Sequence, residues 1–237
     1  MGEAAVKRAP GRGRFITFEG GEGSGKSTQI KRLSERLGSA KLRNIVTREP
    51  GGSPGAEIMR HLLLSGMGKL LGPDAETLLF AAARDDHVRT VIQPALNQGT
   101  WVLCDRFSDS TRAYQGRAGQ VAPGILNAMQ RVTIGDLKPD LTIILDVPVE
   151  VGLKRAAARR GQGAPDRFEA EDLKFHEDLR EAYRQIAADD PQRCVLIDAS
   201  AEPDTVAGLV WTTLRDHLFA IPTPAAPTST TPTPATP

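Results

Sequence analysis

The chain has 237 residues, of which 40% are hydrophobic and 25% charged, and its formal net charge is +1. These values are typical of a globular protein with one sizeable domain. They exclude a chain that spans a membrane, because every apolar run is far too short, and a protein whose overall positive charge holds nucleic acid.

The two ends of the chain differ in composition from the rest. Residues 1–13 are rich in Arg, Gly and Pro, and residues 222–237 contain only Pro, Thr, Ala and Ser. Neither segment can bury enough apolar surface to offset the entropy lost on ordering, so we predict a disordered lead and a disordered tail. Residues 14–221 are expected to form a single domain. The basic start lacks the apolar core of a secretory signal, which favours a cytoplasmic protein.

Between these ends, short β-rich runs alternate with helical patterns. Continuous apolar strands that alternate with helices predict an α/β fold, with a parallel sheet covered on both faces. Pro94 is expected to end or kink the third helix. The predicted strands are 14–19, 44–49, 100–105, 141–147 and 193–199, and the predicted helices are 26–37, 54–65, 75–96, 123–135, 149–160, 169–188 and 203–219.

The segment GGEGSGKST, Gly20–Thr28, follows the first predicted strand and opens the first helix. Its spacing, G-x-x-x-x-G-K-[ST], is that of a phosphate-binding loop, or P-loop. Backbone N–H groups and the helix N-terminus attract phosphate oxygens, Lys26 adds a mobile charge, and Ser27 offers a hydroxyl to Mg²⁺. The pattern indicates a site for a nucleoside triphosphate formed by Gly20, Gly21, Glu22, Gly23, Ser24, Gly25, Lys26, Ser27 and Thr28. The acid Glu22 is unexpected in a loop that receives a polyanion.

Further candidate residues follow the second and third strands and lie on the third helix. Arg48 and the pair Asp105–Arg106 come at carboxyl ends of strands, where such sheets bind ligands. Asp105 could assist a metal ion, or it could simply cap a helix. Phe80 and Arg84 are four residues apart on one helix, so they face the same way and could stack on a base and hydrogen-bond to it. Core packing explains Phe80 equally well.

Taken together, these segments resemble the thymidylate kinase family. The resemblance rests on FEGGEGSGKST, TREPGG, LLFAAAR, GTWVLCDRFSDSTRAYQG, GDLKPDLTIILDVPVEVGLKR and DRFE, which cover residues 15–169. It implies transfer of the γ-phosphoryl group of ATP to dTMP with Mg²⁺, a step in dTTP synthesis. It also implies the P-loop nucleoside monophosphate kinase fold, with a five-stranded parallel sheet, flanking helices and a mobile lid at about 155–169, in a homodimer.

The resemblance also implies roles for individual residues. Arg48 and Arg106 would hold the dTMP phosphate. Phe80 would stack on the base and Arg84 would donate to a thymine carbonyl. Ser110 and Gln115 would contact the nucleoside, and Tyr114 would lie beneath the deoxyribose. Asp105, with Ser27, would serve the metal site.

The lid is expected to supply a cation to the transferred phosphate. In some members of the family the P-loop itself carries an arginine after the acid, but this chain has Gly23 there. The segment LKRAAARRGQGAPDRFE instead holds Arg155, Arg159, Arg160 and Arg167. We predict that Arg159 or Arg160 reaches the phosphates; alternatively, these arginines only complement a helix C-terminus and solvate the surface.

Two other functions remain open from sequence. One is a different nucleoside monophosphate kinase or a deoxynucleoside kinase, although two arginines suited to phosphate favour a phosphorylated acceptor. The other is a P-loop switch or ATP-driven assembly factor without turnover of a small molecule. The Asn-Lys-x-Asp segment by which GTPases read guanine is not found in this sequence.

Overall fold

The structure is a computed structural model that describes residues 12–65, 67, 70, 72–163 and 167–219. The predicted tail at 222–237 and most of the predicted lead lie outside these residues. Among the described helices, none combines the length and apolarity needed to cross a bilayer.

Five parallel strands form the centre of the molecule, as the sequence predicts. They are β1 (Phe15–Glu19), β2 (Asn44–Arg48), β3 (Trp101–Asp105), β4 (Leu141–Asp146) and β5 (Cys194–Asp198). Their order in the sheet is β2-β3-β1-β4-β5, so β1 is central. Phe18 pairs with Asp105 of β3 and with Ile143 of β4, which brings the carboxyl ends of the three strands together.

The helices are arranged around this sheet in chain order. They are α1 (Lys26–Ser39), α2 (Pro54–Leu64), α3 (Pro73–His87), α4 (Gln93–Asn97), α5 (Ser108–Thr111), α6 (Pro123–Ile134), α7 (Val149–Arg160), α8 (Leu173–Asp189) and α9 (Pro203–Leu218). π-Helical turns occupy Val88–Ile92 and Arg112–Ala118. Proline begins α2, α3, α6 and α9, where its missing N–H has no helical partner to lose.

Apolar residues on the two faces of the sheet alternate along the strands. Leu103 packs with α1 and α9 on one face, whereas Val102 and Cys104 pack with the segment from α3 to α4 on the other. Cys104 of β3 and Cys194 of β5 are both buried and free. Because successive side chains of a strand point to opposite faces, each strand contributes apolar residues to both faces of the sheet, and helices cover both.

The structure corrects three details of the predicted helices. The segment 75–96 is not one α-helix, because it leaves α-helical geometry at Val88–Ile92, before Pro94, and then continues as α4. Proline has no N–H, so the regular bond to the carbonyl four residues earlier cannot form. The helix before β5 begins at Leu173 and not at residue 169. Asp172 caps its start, because the Asp172 carboxylate accepts the N–H of Phe175 at 2.8 Å. The helical stretch 108–118 is absent from the prediction.

Candidate active site

A cleft of about 230 Å³ opens at the carboxyl ends of β1, β2 and β3. The P-loop follows β1, Asp105 ends the adjacent β3, and Arg48 ends β2. In open parallel sheets, ligands bind in this position. The fold therefore brings together residues that are far apart in sequence, such as Ser27 and Asp105.

Lys26 lies at the start of α1 and is folded against its own loop. Its ammonium group donates to the carbonyl oxygens of Gly20 and Gly21, at 3.0 Å in both cases. Burial, reinforced by the charge of Arg106, lowers the pKa of Lys26 to about 8. A phosphate bound in the loop would add negative charge beside this ammonium and would favour its protonated form.

Helix α7 touches the P-loop, and this contact explains why the loop has no side chain after its acid. A Cβ atom on Gly23 would lie 1.9 Å from the carbonyl oxygen of Gly152, and Gly23 has a φ of +65°. From the other side, a Cβ atom on Gly152 would lie 2.5 Å from the carbonyl oxygen of Glu22. A guanidinium at residue 23 is therefore incompatible with this packing.

Ser27 and Asp105 lie next to each other in the cleft. The Ser27 hydroxyl donates to Asp105 Oδ2 at 2.8 Å. No group of three or more His, Cys, Asp or Glu side chains able to hold a metal occurs among the described residues. A hydroxyl and one carboxylate nevertheless suit Mg²⁺, which takes oxygen ligands and usually binds through one or two carboxylates together with substrate phosphates.

Glu22 holds Arg106 and does not stand as an isolated charge in the loop. Its Oε1 accepts from Arg106 Nη2 at 2.7 Å and from the Tyr114 hydroxyl at 2.8 Å. The Arg106 guanidinium also lies 4.9 Å from the centre of the Tyr114 ring. Burial opposes ionisation of Glu22, but the charges of Arg106 and Lys26 outweigh it and hold the pKa at about 2. The acid of the P-loop is thus ionised and orients an arginine and a ring.

Phe80 and Arg84 form the far end of the cleft, and both face it as their spacing predicts. The guanidinium of Arg84 is buried and donates to Glu49 Oε2 at 2.7 Å and to the Thr111 hydroxyl at 2.9 Å. The other oxygen of Glu49 contacts His87 Nδ1 at 3.0 Å. Because this network holds Arg84 in one orientation, its remaining N–H groups are positioned before any ligand binds.

Arg48 lies at the rim of the cleft, with its side chain 53% exposed. It donates to the two carboxylate oxygens of Glu57 at 2.9 and 3.1 Å. Glu57 also accepts the N–H of Gly52 at 2.8 Å, which ties α2 to the turn after β2. The arginine is therefore held in place while its charge stays accessible from the cleft.

The arginines at the end of α7 differ in position. Arg159 lines the cleft and donates to Glu169 Oε1 at 3.3 Å, whereas Arg160 pairs with Oε2 of the same carboxylate and does not line the cleft. Arg155 points away and donates to two carbonyl groups in the loop after β5. Arg167 pairs with a glutamate of α3. Of the two arginines expected to reach the phosphates, Arg159 is the one at the cleft.

The structure brings most of the predicted site residues into this one cleft. Gly20 and Gly21 contribute carbonyl contacts to Lys26 but no lining surface, Thr28 is exposed on α1, and Arg160 faces Glu169. The predicted residues that line the cleft are Glu22, Gly23, Ser24, Gly25, Lys26, Ser27, Arg48, Phe80, Arg84, Asp105, Arg106, Ser110, Tyr114, Gln115 and Arg159.

Sequence reasoning missed several residues of the site. Glu49 and Phe168 line the cleft, and the Phe168 ring centre lies 5.0 Å from that of Tyr114 and 6.4 Å from that of Phe80. Glu19 is fully buried beside Ser110. The sequence feature that could have identified Glu19 is an acid at the last position of an apolar strand. For Glu49 and Phe168, it is their positions within TREPGG and DRFE.

Comparison with known proteins finds similar sequences and a similar solved structure. The family model described as "Thymidylate kinase" matches residues 18–209. A thymidylate kinase of Bradyrhizobium diazoefficiens is 76% identical over 226 residues, covering 95% of this chain and 98% of that protein. One of Nitrobacter hamburgensis is 76% identical over 219 residues, covering 92% and 95%. The crystal structure of thymidylate kinase from Ehrlichia chaffeensis matches with a TM-score of 0.70 at 34% identity, covering 86% of this chain and all of that one.

Proposed function

The chain belongs to the thymidylate kinase family, and we propose that ATP binds at the P-loop end of its cleft and dTMP at the end formed by Phe80 and Arg84. The enzyme phosphorylates dTMP, with ATP as the phosphate donor. One observation supports this assignment above all: a single cleft contains both the P-loop and a ring–arginine pair suited to a base. The two substrates can therefore meet inside it.

At the donor end, the P-loop N–H groups and Lys26 hold the β- and γ-phosphates of ATP. Ser27 and Asp105 are the residues that fit Mg²⁺, which when bound neutralises charge on those phosphates. The Ser27–Asp105 hydrogen bond keeps the two oxygen ligands together. Arg159, near the end of α7, lines the same cleft and adds a cation to the transferred group.

At the acceptor end, Arg48 and Arg106 bind the phosphate of dTMP. Phe80 stacks on the base, and Arg84, held by Glu49, donates to a thymine carbonyl. Tyr114, fixed through its hydroxyl by Glu22, lies beneath the sugar, where a 2′-hydroxyl would be crowded. Ser110 and Gln115 complete the nucleoside contacts.

The chemistry requires positioning and charge neutralisation, and it needs no general base. An oxygen of the dTMP phosphate attacks the γ-phosphorus of ATP while the bond to the β,γ-bridging oxygen breaks. ADP leaves with the bonding electrons, and dTDP forms. The acceptor phosphate is already an anionic nucleophile, so the protein contributes orientation and cations.

A panel of acceptors with ATP and Mg²⁺, read by product chromatography, tests this assignment. We expect dTDP from dTMP, much slower reaction with UMP, no reaction with thymidine, and negligible ATP hydrolysis without an acceptor. Tyr114→Ala should narrow the preference for dTMP over UMP, whereas Tyr114→Phe keeps the ring and should keep the preference. Equal turnover of UMP and dTMP by the wild type would contradict the proposed acceptor site.

We also propose a homodimer, as the family resemblance implies, and a cytoplasmic location, which the composition of the N-terminal segment favours. Ile58, Leu78 and Val132 are exposed on α2, α3 and α6, and α3 packs against both of the other helices. Ile58→Asp combined with Val132→Asp should give a monomer in sedimentation velocity. Leu209→Asp on α9 is the matched control, because it places the same charge at an exposed leucine outside these helices.

Residues 14–221 are proposed as the kinase domain. A chain that ends at residue 221 should keep the melting temperature and the kinetic constants of the full chain, because the removed segment has no aromatic or large aliphatic side chain to bury. A fall of several degrees in melting temperature would show that the segment docks on the domain.

A further inference from the structure

Glu19 ends the central strand and is completely buried. Its Oε1 accepts the backbone N–H of Phe107 at 2.8 Å and that of Ser110 at 3.3 Å. Its Oε2 accepts the Ser110 hydroxyl at 2.6 Å, and the Tyr183 hydroxyl lies at 3.1 Å. All four groups are donors, so they match an ionised carboxylate, which only accepts hydrogen bonds.

The two hydroxyl groups connect Glu19 to Arg106. Arg106 Nη1 donates to the Tyr183 hydroxyl at 3.1 Å and approaches Ser110 Oγ at 3.5 Å, and the two hydroxyl oxygens are 2.9 Å apart. Each hydroxyl has one proton. The Ser110 proton is donated to Glu19, and the Tyr183 proton is donated either to Glu19 or to the Ser110 oxygen. In both arrangements the hydroxyl protons point away from Arg106. The oxygen lone pairs are then free to face the guanidinium of Arg106.

The backbone of the same segment also depends on Glu19. Arg106 has a φ of +69°, a conformation that residues other than glycine rarely adopt. The next N–H, that of Phe107, is one of those accepted by Glu19. The carboxylate thus holds the backbone beside Arg106 and sets the direction of the hydrogen bonds that its side chain donates.

We propose that Glu19 is a positioning residue for Arg106, and that it acts by orienting the Ser110 and Tyr183 hydroxyl groups so that they accept from the guanidinium. The proposal rests on the assignment of Arg106 to the dTMP phosphate. Glu19 itself touches neither substrate, because it is buried beneath the segment that carries Arg106.

The direction of these hydrogen bonds depends on the charge of Glu19. Burial, reinforced by Asp109, raises the pKa of Glu19 to about 7, against the opposing effect of Arg106. Other ionisable groups that interact with it are Lys26 of α1 and Tyr183 of α8, together with the buried thiols of Cys104 on β3 and Cys194 on β5. When Glu19 is protonated, its O–H becomes a donor, so a neighbouring hydroxyl must accept from it and turn its own proton toward Arg106.

Glu19→Gln separates this role from simple packing, because glutamine has nearly the same shape. The two backbone N–H groups at Oε1 require the amide oxygen there, so the NH₂ group must face the Ser110 and Tyr183 hydroxyls. It donates to them, and their protons turn toward Arg106. Tyr183→Phe removes one of the two hydroxyls and tests the same connection if Glu19→Gln fails to fold.

Steady-state kinetics with full-length protein, ATP and Mg²⁺ give the first readout. We expect Glu19→Gln to raise the KM for dTMP by at least about tenfold and to change the KM for ATP by less than about twofold. Tyr183→Phe should raise the KM for dTMP in the same way but less. The matched control is Asp140→Asn, because the Asp140 carboxylate accepts the N–H of Phe15 at 2.7 Å, at the opposite end of the same strand.

The pH dependence gives a second readout that a purely structural role would not change. At each pH, kcat/KM for dTMP of the wild type is divided by that of Glu19→Gln. The ionisation of dTMP affects both proteins equally, so it does not change this ratio. We expect this ratio to be large above pH 8 and to approach one near pH 5.5, where the wild type carries the same donor as the variant. A ratio that is constant across this range, or equal rises in both KM values, would overturn the proposal.

Arg106→Ala distinguishes failure of this proposal from failure of the assignment on which it rests. If Arg106→Ala raises the KM for dTMP but both Glu19→Gln and Tyr183→Phe leave it unchanged, Glu19 does not position Arg106. If Arg106→Ala itself leaves this KM unchanged, then Arg106 does not bind the acceptor phosphate, and both statements are wrong.

Discussion

Replacing Gly152 by alanine tests the contact between α7 and the P-loop. The new Cβ atom would lie 2.5 Å from the carbonyl oxygen of Glu22 and 3.2 Å from a methyl carbon of Val147. A carbon and a carbonyl oxygen normally approach no closer than about 3.3 Å. Either the loop or the helix must therefore move by nearly 1 Å.

The expected effect follows from two opposing contributions. Alanine in place of glycine inside a helix stabilises by about 1 kcal/mol, whereas overpacking of this kind costs about 1–3 kcal/mol. The net change in the free energy of unfolding should thus lie between about zero and 2 kcal/mol of destabilisation. Catalysis should suffer more, because displacing reacting groups by about 1 Å can lower the rate by about 10²-fold.

Urea denaturation and steady-state kinetics measure the two effects separately. Gly208→Ala is the matched control, because a Cβ atom at this position in α9 meets no atom within 4 Å. We expect it to stabilise the protein by about 0.5–1 kcal/mol with normal activity. If Gly152→Ala were as stable as Gly208→Ala and fully active, the close contact between α7 and the P-loop would not control the site.

Lys26→Ala should leave the protein folded and lower kcat by about 10²-fold or more in steady-state assays, because a cation aimed at the transferred charge is lost. Arg159→Ala should lower kcat by at least about 10²-fold with little change in the KM for dTMP, whereas Lys154→Ala, which removes an exposed charge from the same helix, should not. Normal turnover by either Lys26→Ala or Arg159→Ala would contradict its role. Glu22 has a pKa of about 2, below its ordinary 4.5, so its stabilising contribution is complete above pH 4.5 and is lost as the pH falls toward 2. Glu22→Gln should therefore reduce the free energy of unfolding at pH 7 by up to about 3 kcal/mol and flatten its acid dependence in urea titrations; an unchanged profile would refute this.

The strands and most helices were predictable from the sequence because their signals are local. Apolar runs such as LTIILD, prolines at helix starts and the spacing of Gly20–Thr28 each act within a few residues. The stretch 108–118 lacked such a signal, because Ser110, Tyr114 and Gln115 face the cleft and so do not follow the spacing of a core-facing helix. A functional site thus obscured the local pattern.

The sequence by itself determined the reaction class and identified most of the residues that line the cleft. The P-loop spacing specified a phosphate site, and the combination of TREPGG, LLFAAAR and DRFE specified the family. These motifs are informative because the roles that the family resemblance implies for them depend on substrates whose chemistry is constant. They could not say which of Arg159 and Arg160 lies at the cleft, since the two are adjacent in sequence and pair with the same carboxylate, that of Glu169. Only their positions relative to the cleft distinguish them.

Only the tertiary structure decided what holds these residues in place. Glu22 accepts a hydrogen bond from Arg106, Glu49 accepts one from Arg84, and the backbone of Gly152 leaves no room for a side chain at Gly23. In each case the two residues are separated by 35 to 129 positions, so no local pattern links them. Such pairs arise when separate strands end at one edge of the sheet, because burial there requires every charge and hydroxyl to find a partner.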